Sequence, residues 1–210
     1  LVTFLLDPNP GERILDACAG LGGKTGHISQ QMKNIGHITA VDYRSNKLSR
    51  LHQEMQRLKI TIVSPQNIDL NNASAMARLG MFDRILVDAP CSGLGVLRRH
   101  PDTKWRHTTH TFSKMADRQL QLLNNLAPLV KPGGILVYAV CSTEIEENEM
   151  VIKRFLNNHL NFIVSPAEPF LPSTARRLVT PDGYFRTLVH RHQMDGFFAA
   201  RFRKSRAVDS

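Results

Sequence analysis

Long apolar runs, acidic side chains and cysteines are all scarce in this 210-residue chain. No stretch approaches the ~20 consecutive apolar residues of a membrane-spanning helix, and the first residues do not read as a secretory signal. Three cysteines, Cys18, Cys91 and Cys141, are too few and too scattered for a disulfide framework or a zinc-finger spacing. Free thiols suit a reducing compartment, which places the expected location in the cytoplasm. Eighteen acidic residues face 27 lysines and arginines, leaving a formal charge of +9. Such a balance favours a polyanionic partner, nucleic acid first. With 42% hydrophobic and 21% charged residues, the composition is that of a soluble globular protein. The length allows one domain with a full core and shows no internal repeat or linker.

What is present is an alternation of short apolar strands and amphipathic helices. Strands are expected over Arg13–Ala17, His37–Asp42, Ile60–Ser64, Phe82–Asp88, Ile135–Val140, Phe162–Ser165 and Gly196–Arg203. Helices are expected over Thr25–Met32, along Leu48, Leu51, Met55 and Leu58, along Leu122–Val130, and along Val151–Leu156. Ser45 or Asn46 is the expected N-cap of the second helix, Thr143 with Glu146 a capping box for the last, and Lys131-Pro-Gly-Gly134 the stop of the third. Residues 166–191 read as irregular. Leu1–Leu6 reads as the tail of a helix already under way, so an upstream part is expected. The pattern is that of an α/β domain with a mainly parallel sheet covered on both faces.

The segment Asp16-Ala-Cys-Ala-Gly20-Leu-Gly22-Gly23-Lys24-Thr25 follows the first strand and opens a helix, where exposed amides meet a positive helix end. A P-loop would need glycine where Cys18 stands. A dinucleotide fingerprint would need glycine where Thr25 stands. S-adenosylmethionine asks less of the turn, because it carries no phosphate. Its ribose hydroxyls would need an acid after the second strand, and Asp42 is that acid, with Asp69 after the third strand within reach of an adenine. A solvated loop acid is the plainer reading of either aspartate.

Two runs bring cysteine directly after a strand: Asp88-Ala-Pro-Cys91-Ser-Gly93 and Tyr138-Ala-Val-Cys141-Ser-Thr143. Residues just past the carboxyl ends of parallel strands line the ligand crevice of such sheets. Together with the Gly-rich turn, Glu146-Glu-Asn-Glu149, Gly93-Leu-Gly-Val-Leu-Arg-Arg-His-Pro-Asp102, Lys104-Trp105, His190-Arg-His192 and Asp195-Gly-Phe-Phe198, these runs resemble the RNA cytosine-5 methyltransferases of the Sun/Nol1/Nop2 family. The resemblance covers essentially the whole chain in the right order. It implies a Rossmann-like class I fold dependent on S-adenosylmethionine, with a mixed seven-stranded sheet, an antiparallel last strand and helices on both faces. It further implies one catalytic domain over residues 1–210, without the family's N-terminal RNA-binding region.

The implied chemistry is methylation of cytosine carbon 5 in RNA, most naturally small-subunit ribosomal RNA, with tRNA or a non-catalytic RNA-binding role as alternatives. Carbon 5 of cytosine is a poor nucleophile, so a thiolate must first add to carbon 6. The family's pattern makes Cys141 the nucleophile and Cys91 the residue that assists product release, whereas the Pro90-Cys91 pair resembles the nucleophile of DNA cytosine methyltransferases. Asp88 is read as acting on ring nitrogen 3 and on the cofactor. Cofactor contacts are expected from Cys18, Ala19, Gly20, Leu21, Gly22, Gly23, Lys24, Asp42, Arg44, Asp69 and Asp88. Two departures stand out: Gly20-Leu21 replaces the family's usual Ala-Pro, and Val140 replaces the usual threonine before the second cysteine.

Arg98 and Arg99 are expected to contact RNA, in a basic segment that also holds His100, Lys104, Trp105, Arg106, His107 and His110. Trp105 reads as that loop's packing anchor, with base stacking as the alternative. Arg176, Arg177, Arg186 and Arg191 are expected to extend the basic face. His107 with His110, or His190 with His192, have no matching ligand set, so no metal is expected. A monomer is expected, with RNA as its partner.

Overall fold

The computed structural model describes residues 1–106 and 109–206. The sheet is built from β1 (Arg13–Asp16), β2 (His37–Asp42), β3 (Val63–Asn67), β4 (Phe82–Asp88), β5 (Val130–Val140), β6 (Phe162–Val164), β7 (Phe185–Thr187) and β8 (Phe197–Lys204). Its order is β3-β2-β1-β4-β5-β8-β6, with β7 also pairing β8. Strands β1 to β5 run parallel, and β8 pairs antiparallel with β5, β6 and β7. The expected architecture is present, with one more strand: β7 lies inside the stretch read as irregular. Three residues carry too little alternation to announce a strand.

The helices are α1 (Val2–Leu6), α2 (Gly23–Gln31), α3 (Ser45–Arg57), α4 (Ala73–Ala77), α5 (Thr109–Leu126), α6 (Glu149–Asn158) and α7 (Val189–His192). Successive strand residues point to opposite faces, and here both faces are apolar. Leu15, Val87, Tyr138 and Phe198 pack with Leu123, Leu126 and Phe155 of α5 and α6. On the other face Ile14, Leu86, Val137 and Ala139 pack with Leu5, Leu6, Ile28 and Met32 of α1 and α2. Leu48, Leu51 and Met55 of α3 cover Ala40. Near-continuous apolar runs such as Ile85–Val87 are what a sheet buried on both faces requires.

Short α1 is fastened by two buried arginines. Arg84 Nη1 donates to the Leu6 carbonyl (2.7 Å) and Arg201 Nε to the Leu5 carbonyl (2.8 Å). These bonds satisfy carbonyls that a helix end leaves without partners.

Several local expectations are corrected. The third strand starts at Val63, not Ile60, because the Ile60 amide is used to close the end of α3 on the Met55 carbonyl (2.9 Å). Strand β5 starts at Val130 and includes Lys131-Pro-Gly-Gly134, its register against β4 shifting between Phe82 and Arg84. Neither expected side-chain cap forms. Arg44 caps α3 and Asn148 caps α6, both without a side-chain bond, and the Thr143 hydroxyl donates to Glu144 instead.

Candidate active site

Strand β1 ends at Asp16, and the Gly-rich turn then swings into α2. Gly22 caps that helix with φ +89°, and a Cβ there would stand 2.7 Å from Leu51 Cγ. Glycine is therefore required both by the backbone and by the approach of α3. The Ala19 amide bonds the Val41 carbonyl (2.9 Å) and the Gly22 amide the Ala19 carbonyl (3.0 Å), fixing the turn on β2. Asp42, buried at the end of β2, accepts from the Gly20 amide (3.1 Å) and the Arg44 amide (2.9 Å). The turn and its acid are thus one unit. Space is open over Gly20 and Gly23, where an added Cβ would meet nothing within 4 Å. Leu21 stands exposed at the mouth, and Arg44 bonds and covers the ring of Tyr43.

Beneath the turn Asp16 is fully buried. Thr25 donates to its Oδ2 (2.7 Å), while Oδ1 has no partner. Burial pushes the Asp16 carboxyl up to about 6, the Thr25 bond opposing that rise. The Thr25 hydroxyl is thereby turned into the core, away from where a P-loop would need it for magnesium. Cys18 is partly buried with its thiol pushed up by burial and then by Asp16, which makes it a poor thiolate. Its place in the turn is a backbone place. Asp69 is exposed and accepts from the Asn71 amide (2.9 Å), so the structure brings it less firmly to the turn than Asp42.

Strands β4 and β5 are neighbours with Asp88 opposite Ala139, and the Ala89 amide bonds the Ala139 carbonyl (2.8 Å). Both cysteine loops therefore leave the sheet at one height, and Cys91 Sγ lies 3.2 Å from Cys141 Sγ. Lys24 Nζ from α2 meets Asp88 Oδ2 at 2.5 Å. The bond with Cys91 lowers the Cys141 thiol, burial and Asp88 oppose that, and Lys24 assists it. Cys91 is driven the opposite way, first by the same bond and then by burial. The shared bond thus pushes the two thiols in opposite directions, Cys141 down and Cys91 up.

Sequence reasoning gave no role to the groups that hold this pair. Glu147, fully buried, accepts from the Ser92 amide (2.9 Å), the Ser92 and Ser142 hydroxyls (2.5 Å each) and Gln119 Nε2 (2.9 Å). The Cys-Ser dipeptide shared by both motifs was the available signal. Gly95 and Gly196 are a second omission. The Gly95 amide bonds the Cys141 carbonyl (3.0 Å), and the Gly196 amide bonds the Gly95 carbonyl (2.7 Å), so three loops meet backbone to backbone.

Arg98 and Arg99 line a cavity of about 520 Å³ together with Lys24, Thr187, Asp195 and Phe197. Each is held by the loop before β8: Arg98 Nη1 donates to the Gln193 carbonyl (2.8 Å), and Arg99 pairs with Asp195 (3.0 Å). Trp105 is 78% exposed, so it is not the packing anchor expected of it. Arg186 pairs with Glu149 (2.8 Å) and joins β7 to the start of α6 rather than extending a basic face. His192 Nδ1 accepts from the Leu188 amide (2.9 Å). Among the described residues no group of three His, Cys, Asp or Glu could hold a metal ion, and His107 lies outside them. Among the described residues no helix is long and apolar enough to cross a membrane.

The sequence and the fold both match known proteins. A family model described as 16S rRNA methyltransferase RsmB/F matches residues 3–203. The probable ribosomal RNA small subunit methyltransferase B of Bacillus subtilis (strain 168) is 42% identical over 205 residues, 97% of this chain and 46% of the relative. The ribosomal RNA small subunit methyltransferase B of Pasteurella multocida is 39% identical, over 96% of this chain and 44% of its own length. The chain thus spans about half the length of the curated relatives it matches. Among solved structures, NSun6 from Pyrococcus horikoshii with SFG, an S-adenosylmethionine analogue, superposes with a TM-score of 0.84 at 30% identity, covering 97% of this chain and 50% of that one. A methyltransferase homolog from the same organism gives 0.78 at 33% identity, covering 95% and 63%.

Proposed function

The chain belongs to the 16S rRNA methyltransferase RsmB/F family, whose members depend on S-adenosylmethionine, and on that premise we propose that it methylates carbon 5 of a cytosine in small-subunit ribosomal RNA. The proposed reaction runs in the cytoplasm, on a monomer, through a covalent adduct at Cys141. The observation that carries it is the pair of sulfurs 3.2 Å apart on neighbouring strand ends, beside the Lys24–Asp88 pair. One thiol suffices to attack a ring; a second within reach serves a reaction that must also release its product.

The residues present fit the cofactor. The open cradle over Gly20 and Gly23 and the acid Asp42 held by the turn's own amide suit a ligand with a ribose and no phosphate. When bound, S-adenosylmethionine supplies an electrophilic methyl group from its sulfonium. Cys141 Sγ attacks carbon 6 of the cytosine, and the ring's electrons move toward carbon 5 and nitrogen 3. Asp88, in its protonated form, would donate its proton to nitrogen 3 as charge gathers there, with Lys24 compensating the carboxylate that remains. Carbon 5 takes the methyl group. The carbon 5 proton then leaves to solvent, nitrogen 3 returns its proton to Asp88, the Cys141–carbon 6 bond breaks with Cys91 at 3.2 Å assisting the release, and aromaticity returns. The target base has to leave its stack to reach these partly buried thiols. Arg98 and Arg99 on the cavity rim are the candidates for its flanking phosphates.

The test is to incubate the chain with unmodified small-subunit rRNA and cofactor labelled in its methyl group, then identify the labelled nucleoside. Label in 5-methylcytidine is expected; label in any other nucleoside overturns the reading. RNA carrying 5-fluorocytidine should be captured covalently by the unaltered chain. Cys141→Ala should reduce that capture to background, and persistent capture would transfer the nucleophile's role to Cys91.

A further inference from the structure

Both cysteine loops are tied to one buried carboxylate, and the tie is symmetrical. Cys91 is followed by Ser92 and Cys141 by Ser142, and both hydroxyls reach Glu147 Oε2 at 2.5 Å. The two serine oxygens stand 3.2 Å apart, as do the two sulfurs. The other oxygen, Oε1, accepts from the Ser92 amide and from Gln119 Nε2, which also bonds the Pro90 carbonyl (3.0 Å). The Tyr138 hydroxyl fixes the Glu147 backbone by donating to its carbonyl (2.6 Å), and Asn148 Nδ2 reaches the Ser142 carbonyl (3.3 Å). None of the four donors to the carboxylate is cationic, although a fully buried carboxylate ordinarily needs a cation or a full set of hydrogen bonds. Glu147 has the second, and it takes its donors from both loops.

We propose that Glu147 is a positioning residue that sets the separation of the Cys91 and Cys141 thiols, and so couples attack by one to release by the other. It touches neither base nor cofactor. Without its bonds each loop keeps its strand and the Gly95–Cys141 backbone bond, but loses the side-chain link directly behind the two sulfurs. The proposal rests on the two-thiol reading above for its catalytic consequence, but the spacing itself can be measured without that reading.

Oxidised glutathione supplies the direct measurement. One thiolate attacks it, forming a mixed disulfide and releasing one glutathione thiol. The second cysteine then attacks the mixed disulfide, closing the Cys91–Cys141 bond and releasing a second glutathione thiol. The closing rate reports how near the sulfurs are. In Glu147→Ala the rate of forming the linked peptide, followed by mass spectrometry, should fall by roughly tenfold or more. Turnover on RNA should fall by roughly 10- to 100-fold, as for a reacting group displaced by about an ångström, while calorimetric affinity for S-adenosylmethionine stays within about threefold. Glu147→Gln keeps an acceptor for the Ser92 amide and Gln119 and should recover much of both rates. If Glu147→Ala does not fold, the double variant Ser92→Ala with Ser142→Ala removes the same two hydroxyl bonds and carries the test. A folded variant that closes the disulfide at the unaltered rate overturns the proposal. If the unaltered chain makes no 5-methylcytidine, the functional reading fails, while the disulfide rate still decides the spacing.

Discussion

Asp16 carries a cost that its neighbourhood reveals. Its folded carboxyl titrates near 6, against 3.8 for an ordinary one, chiefly because it is fully buried, and only Thr25 bonds it. The folded chain therefore binds this proton more tightly than the unfolded chain. Stability from this group is fully present below about pH 4, declines as pH rises toward 6, and is lost above it. The shift corresponds to about 2–3 kcal/mol. Asp16→Asn leaves an amide oxygen to accept from Thr25 and removes the charge. Urea unfolding at pH 8 should show the variant more stable by about 1–3 kcal/mol, with the two proteins converging at pH 4. No difference at pH 8 would mean that the carboxyl is better solvated than its burial implies. At this scale the sequence was informative where a residue type is chemically singular. Cys91, Cys141, Asp88 and Lys24 announce themselves, and the structure brings all four to the same strand ends. The roles of Glu147, visible only within a motif, and of Gln119 do not, because glutamate and glutamine normally face water and only tertiary packing buries these two.

Elements meet at the site through glycine. A Cβ on Gly95 would stand 1.9 Å from the Gly196 carbonyl oxygen and 3.0 Å from the Cys141 backbone. Neither neighbour is a side chain that can swing aside. Gly95→Ala should therefore cost about 1–3 kcal/mol or more in a denaturant titration. It should also slow methyl transfer, because the loops it forces apart carry Cys141 and the start of β8. A variant with unaltered stability and rate would show that the loops have slack. Element existence was legible in the apolar runs of β1, β2, β4 and β5, whose buried faces demand them. Element ends were less so. Ser45, Asn46 and Thr143 have the chemistry of caps, yet the chain begins α3 and α6 elsewhere, because an N-cap needs backbone geometry that the preceding strand end dictates. The α3–β3 boundary moved for a related reason: Ile60 is apolar enough for a strand, but its amide is already committed to the helix end.

The whole molecule adds charge and topology to these local facts. A formal charge of +9 should make RNA binding strongly salt-dependent, each neutralised phosphate of a single strand contributing about −0.7 to the log–log slope. Arg99, exposed on the cavity rim and paired with Asp195, is a candidate for one such contact. Arg99→Ala should flatten the slope of a filter-binding series by about 0.7 and weaken all RNA sequences alike. An unchanged slope would leave Arg99 a fastener of the β7–β8 loop. The overall plan was the most legible layer, since alternating strands and helices leave few ways to cover both faces of a sheet. The placement of the loop that seizes Arg98 and Arg99 was not legible, because it depends on contacts between segments nearly a hundred residues apart, and β7 was not, because its three residues become a strand only by pairing with β8.

Chain order and spatial order disagree at one place in this sheet. Strand β8 is made after β6 yet lies between β5 and β6, and Gly196, which locks the cysteine loops, immediately precedes it. During synthesis the long hydrophobic edge of β5 must therefore wait, unpaired, until residues 197–204 emerge. A ribosome-bound chain halted before that point would carry both cysteine loops and the Gly-rich turn, but would lack the Gly196 tie to Gly95, and its sheet edge would be free to pair with another chain. The closed sheet in this fold thus arrives last and all at once, with the strand that completes it.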